Sequence, residues 1–176
     1  MTRRVLSALA LSALTATSLS AQADLNDLEM AHVAVTASNI DIAYAHLALA
    51  FSENPEVRRF AETMIADHTA ANEQVAALAR QLGVEAQDNA LSKRLLEESA
   101  RLKDRLSKLR GTAFDRAYAQ NELEYHRTVN GVVGDAFIPN ADNAQVKRLF
   151  ESALAIFRGH QKHAEMMVEQ LAKTGH

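Results

Sequence analysis

The sequence predicts an all-α fold, a four-helix bundle, and three observations carry that prediction. Gly and Pro are scarce, 6 and 2 in 176 residues, too few for the turns of an all-β chain. Apolar residues recur in alternating steps of four and three, the spacing of a buried helical stripe. Two proline-marked breaks and one long intervening stretch suit two helix hairpins joined by a crossover.

Residues 1–23 read as a leader. Arg3 and Arg4 precede a mostly apolar, uncharged run from Val5 to Ala16, and Ala21-Gln22-Ala23 supplies the small-x-small pattern of a cleavage site. The run falls short of the ~20 residues that span a bilayer, and no later run is expected to reach that length. Cutting after Ala23 leaves 24–176, with 17 basic against 22 acidic residues and a formal charge of −5. The expected product is an exported, periplasmic, soluble chain of one domain.

Helix one is expected near 27–52, on the stripe Val33, Ala37, Ile40, Tyr44, Leu47 and Phe51. Asn54-Pro55-Glu56 then places a capping residue, a first-turn proline and an acid at the positive end of helix two. That helix runs near 55–82 on Val57, Ala61, Met64, His68, Ala71, Val75, Leu78 and Leu82, with Gly83 as its stop. A crossover helix near 90–110 carries Leu91, Leu95, Leu102, Leu106 and Leu109 on one side. Gly111 is the next stop, and Thr112 with Asp115 resembles a capping box. Helix three, near 113–136, has a broken stripe through Phe114, Tyr118, Asn121, Tyr125, Thr128 and Val132. The break at Pro139-Asn140 precedes helix four, near 142–173, with Val146, Phe150, Ala153, Phe157, His160, Ala164, Met167 and Leu171. Two hairpins joined by one bundle-length crossover is the ferritin-like arrangement.

Several function classes drop out early. The chain has no Cys, which removes disulfide scaffolds, thiolate zinc sites and cysteine nucleophiles. A formal charge of −3 for the whole chain lacks the basic footprint of a nucleic-acid binder. No Ser-His-Asp order with strand context and no glycine-rich phosphate loop is present, so an enzyme is the less favoured reading.

The chain resembles the bacterial domain of unknown function 4142 family over about 27–171. The resemblance rests on Asn54-Pro55-Glu56-Val57, on Met64-Ile65-Ala66-Asp67-His68 with Asn72, on Phe114-Asp115-Arg116-Ala117-Tyr118 with His126, and on Arg158-Gly159-His160. It implies export and a ferritin-like fold, and it offers no catalytic residues to carry over. Asp41 stands where the family suggests a longer Glu, and Tyr125 where it often has an acid.

The chemistry lies in seven histidines. His68 and His160 occupy stripe positions; His126 and Glu122 share a face one turn apart, and Asp41 flanks the stripe of helix one. Ionisable groups inside a bundle are paired or bound to metal, and His with carboxylate from several helices is how bundles hold ions. Counted from residue 53, Asp41 and His68 differ in level by about 4.5 Å. Counted from residue 139, His126 and His160 differ by about 12 Å, too far for one ion. The expected centre is therefore Asp41, His68, His126 and Glu122, with His160 kept in the set as a second ligand group or an outer partner.

Such donors suit zinc, copper, nickel or iron. A ferritin-type di-iron centre takes Glu-x-x-His from each of two helices, and that pattern is expected to be absent. The same side chains also suit a metal-free core in which neutral imidazoles bond to Asp41, Asp67, Glu122, Tyr118 or Tyr125. His160 and His163 offer a weak chelating pair on one helix. His32, His46 and His176 are expected at the surface. The crossover segment 93–110 holds seven basic residues against Glu97, Glu98 and Asp104. A solvated face with ion pairs is the favoured reading there, and contact with envelope lipid or polysaccharide is the functional one. The functional expectation is an exported bundle that binds a transition metal for metal handling or envelope stress protection. The alternative is a metal-free structural or interaction module, and homo-oligomers are left open.

Overall fold

A computed structural model describes residues 25–173. The expected leader and cleavage site, and His176, lie outside the described residues. All regular structure within them is helical: α1 Asp27–Phe51, α2 Pro55–Leu82, α3 Ala90–Leu106, α4 Gly111–Val132 and α5 Ala144–Lys173. A π-helical stretch, Val133–Phe137, and a last turn, Ile138–Asn140, prolong α4. The hairpins α1–α2 and α4–α5 pack side by side, α2 against α5 and α1 against α4, while α3 returns along α1.

Local signals set most boundaries. The Asn26 side chain accepts from the backbone of Leu28 and Glu29 while Glu29 reaches back, a full capping box for α1. Asn54 caps α2 with Pro55 in its first turn, and Gly83 closes it at φ 68, a conformation that favours glycine. The C-terminal carbonyls of α1 find a donor on the next helix. Arg58 Nη1 lies 2.7 Å from the Leu49 oxygen and 3.1 Å from that of Ser52, meeting a need every helix end has.

Five expectations change. Gly111 opens α4, at φ 55, instead of stopping a helix, and Arg110 at the cap position makes no side-chain capping bond to it. Asp115 is buried and accepts from Ser52 Oγ at 2.5 Å, tying the first hinge to α4, so no capping box with Thr112 forms. The crossover helix ends at Leu106, short of residue 110. Helical structure also runs through Pro139, which sits at the start of a turn where its missing N–H is tolerated; the open hinge is 141–143. Finally, α1 is long and apolar enough to cross a membrane by length and composition, with mean hydropathy 1.3 over an 18-residue window, against the expectation of no such run. Half of that window is buried in the bundle. Flanked by α2, α3 and α4, this helix is apolar on most sides because most sides are covered.

The core falls into two apolar clusters. One, around Phe60, Met64, Tyr118 and Met167, lies toward the first hinge. The other, around Met30, Phe137, Val146 and Phe150, lies toward the second. Between them the four long helices each turn ionisable residues inward.

Candidate metal centre

The centre is built on helical spacing. On α4 the buried ladder is Phe114, Tyr118, Glu122, His126 and Asn130, steps of four on one face. The expected stripe through Asn121, Tyr125 and Thr128 is therefore displaced by one position, and those three are half-buried or exposed. Polar residues occupy the core face of α4, so apolarity alone traces its flank. From α1 comes Asp41, from α2 His68 and from α5 His160, all buried, with Asp41 and Glu122 at 0% exposure.

Asp41 Oδ2 lies 2.6 Å from His68 Nε2 and 3.4 Å from His126 Nε2. Glu122 Oε2 is 3.8 Å from His126 Nδ1. The His160 ring centroid is 5.4 Å from that of His126 and 5.5 Å from that of His68. Two sets of three donor atoms, His68–His126–His160 and Asp41–Glu122–His126, each fall within 4.8 Å of one another, close enough to hold one ion.

That overturns the separation of His160 from His126. The count took residue 139 as the turning point, whereas the chain turns at 141–143. Recounted from residue 142, His126 is sixteen before and His160 eighteen after, a difference of about 3 Å along the axis. The three imidazoles share one layer.

Each imidazole also has an outward partner. His126 Nδ1 is 2.9 Å from the Glu122 carbonyl oxygen and donates to it, so Nε2, which faces Asp41, is the bare nitrogen. His160 Nε2 donates to Asp67 Oδ2 at 2.7 Å, leaving Nδ1 bare. His68 Nδ1 meets Ser38 Oγ at 3.2 Å. Buried and without hydrogen-bond geometry to any protein group are Asp41 Oδ1, Glu122 Oε2, Nε2 of His126 and Nδ1 of His160, whereas Asp41 Oδ2 and His68 Nε2 meet as an ion-pair contact. Outward anchoring of one ring nitrogen with the other turned inward is how metal-binding histidines are oriented.

The charge states suit this arrangement. Burial lowers the pKa of His126, and it lowers that of His160 to about 4, so both rings are neutral at pH 7. Burial alone would raise Asp41; contact with His68 and the neighbouring imidazoles outweigh it and hold the carboxyl at about 2. Burial and the Asp41 charge push Glu122 well up. The layer thus combines an ionised Asp41, a Glu122 carboxyl whose ionisation is opposed, and neutral rings at His126 and His160.

The remaining residues fall elsewhere. His163 bonds Glu56 Oε1 at 2.8 Å, so it does not chelate with His160. His46 is exposed as expected, whereas His32 is half-buried with its Nδ1 enclosed. Glu29 and His32 do form one Glu-x-x-His, correcting its expected absence, but Glu29 is engaged in the α1 cap. Tyr125 donates to the Ala37 carbonyl at 2.9 Å and so serves no histidine. The outward partner Ser38 was missed by sequence reasoning, since a lone Ser in an Ala-rich helix gives no signal.

A family model described as Domain of unknown function (DUF4142) matches residues 12–167. No curated protein and no solved structure matches the chain.

Proposed function

Because this chain belongs to the domain of unknown function 4142 family, whose description assigns no activity, we propose its function from the site: the bundle binds one divalent first-row transition metal ion through Asp41, His68, His126 and His160, with Glu122 as a further donor. The observation that carries this is the pair of bare, buried nitrogens: His126 Nε2, 3.4 Å from Asp41 Oδ2, and His160 Nδ1, on a ring whose centroid lies 5.5 Å from that of His68. Unpaired acceptors facing one another in a buried core destabilise a fold unless a cation, a proton or a water lies between them. Imidazole with carboxylate and no thiolate favours zinc, copper(II), nickel or iron(II). If the leader reading holds, the role is periplasmic, in metal buffering or protection against metal stress.

Metal analysis by plasma mass spectrometry of untagged protein, purified without chelator, tests the proposal. Near-stoichiometric metal in the wild type, lost in His68→Ala/His126→Ala with helical circular dichroism retained, is the expected result. Metal content unchanged by that double substitution, or a wild type that neither carries nor takes up metal, overturns it and leaves the metal-free structural module. Should the alanine variant misfold, His126→Gln keeps volume and polarity and reads the same outcome.

A further inference from the structure

The centre is buried, so an ion needs a way in. A depression of about 80 Å³ opens between α1, α2 and α5. On its wall stand Asp67 and Ser38, the outward partners of His160 and His68. Two of the three site imidazoles are thus anchored from one surface-facing hollow. Asp67 is the more exposed of the two, with 41% of its side chain open to solvent.

The hollow leads inward. Ala34, Ser38, Phe150, Ala153 and Phe157 line it and also line a cavity of about 30 Å³ deeper in the bundle. His68 and His126 belong to the wall of that inner cavity. A space of this size admits a water molecule or a partly dehydrated ion. Phe157 lies at the junction and stacks on His68, centroids 4.4 Å apart and planes 19° apart. Much of the passage wall is Ala, from Ala34, Ala70, Ala71 and Ala153, where larger side chains would close it.

We propose that this passage is the loading route of the metal centre: Asp67 is a transient cation ligand at its mouth, and Phe157 is the inner gate. The proposal rests on the metal reading above. An ion held by the exposed carboxylate of Asp67 sits beside the His160 ring. Release of the Asp67 hydrogen bond would let that ring turn, present its bare Nδ1 to the ion and carry it inward, the proton staying on Nε2. Each step exchanges one ligand for another on the same divalent ion and needs no redox partner.

The test separates rate from equilibrium. Apo protein is mixed with cobalt(II) in a stopped-flow instrument, loading is followed by visible absorption, and final stoichiometry is measured by plasma mass spectrometry. Ala153→Leu narrows the passage without replacing a donor, and Asp67→Asn removes the charge at its mouth while its amide oxygen can still accept from His160 Nε2. Ala71→Leu, at the half-buried outer end, serves where Ala153→Leu disturbs folding.

The expected result is loading slowed about tenfold by Asp67→Asn, the scale of lost electrostatic steering, and slowed at least several-fold by a Leu variant that fills the passage. Final cobalt per chain should stay at the wild-type value in the Leu variants. Wild-type loading rates in Asp67→Asn and in the Leu variants overturn the route and leave the metal centre standing. A wild type that binds no cobalt at equilibrium overturns the metal reading and the route with it.

Discussion

At the scale of single residues, the layer between the two apolar clusters is held by outward bonds whose members differ in how well the sequence shows them. His68 and His160 fall on apolar stripes, and an ionisable residue in a stripe is a visible anomaly. Asp41 and Glu122 are visible only beside those histidines, and Ser38 is not visible at all. His160 gives a measurable consequence. Burial holds its folded pKa at about 4, while an unfolded His titrates near 6.5. The unfolded chain therefore takes up a proton as pH falls through 6.5, and the native chain does not until about pH 4. The stability this contributes is full above pH 6.5 and declines as pH falls toward 4. His126 acts with the same sign and Glu122, its pKa raised, with the opposite one, so a comparison of variants isolates His160. In chelator-treated protein, His160→Gln should reduce the stability lost between pH 7 and pH 5 by about 1–2 kcal/mol. Urea melts at the two pH values check this, and an undiminished loss would mean that His160 is not held neutral.

At the scale of elements, α2 lies within the bounds its capping residues predict, because Asn54, Pro55 and Gly83 act through their own backbone. The second hairpin was less legible for the same reason in reverse. Gly111 and Pro139 both permit more than one role, and tertiary packing chose the start of a helix for the first and a continued turn for the second. Neither the π-helical stretch Val133–Phe137 nor the shift of the α4 core face onto Glu122, His126 and Asn130 follows from apolar spacing. Gly83 isolates a purely local term. A Cβ there would meet nothing within 4 Å, so only the left-handed backbone at φ 68 opposes a side chain. Gly83→Ala should cost about 1 kcal/mol, measured by thermal or urea melting, with metal content unchanged because the site lies elsewhere on α2. A much larger loss would show that the α2–α3 connection packs more tightly than its open surroundings indicate.

At the scale of the whole molecule, the donors come from all four long helices, Asp41 on α1, His68 on α2, Glu122 and His126 on α4 and His160 on α5, while α3 supplies none. An ion at that point joins the two hairpins across the bundle, where otherwise chiefly side-chain packing holds them. Metal binding is therefore coupled to global unfolding, and its effect should grow with free metal. The expected gain is about 2.7 kcal/mol at a free metal concentration one hundred times Kd. Chelator-treated wild type titrated with zinc should show a Tm that climbs with metal, and His126→Gln should show a much flatter response. Hydrogen exchange locates the effect. Protection should rise in segments of α1, α2, α4 and α5 around the donors and change least in α3, which closes the outer side of α1 without touching the layer. Equal protection gained in α3 would point to general tightening of the fold, and gain confined to α2 and α5 would reduce the site to a contact at His160 and Asp67. A bundle stapled at mid-height by one ion has to gain stability in both hairpins together.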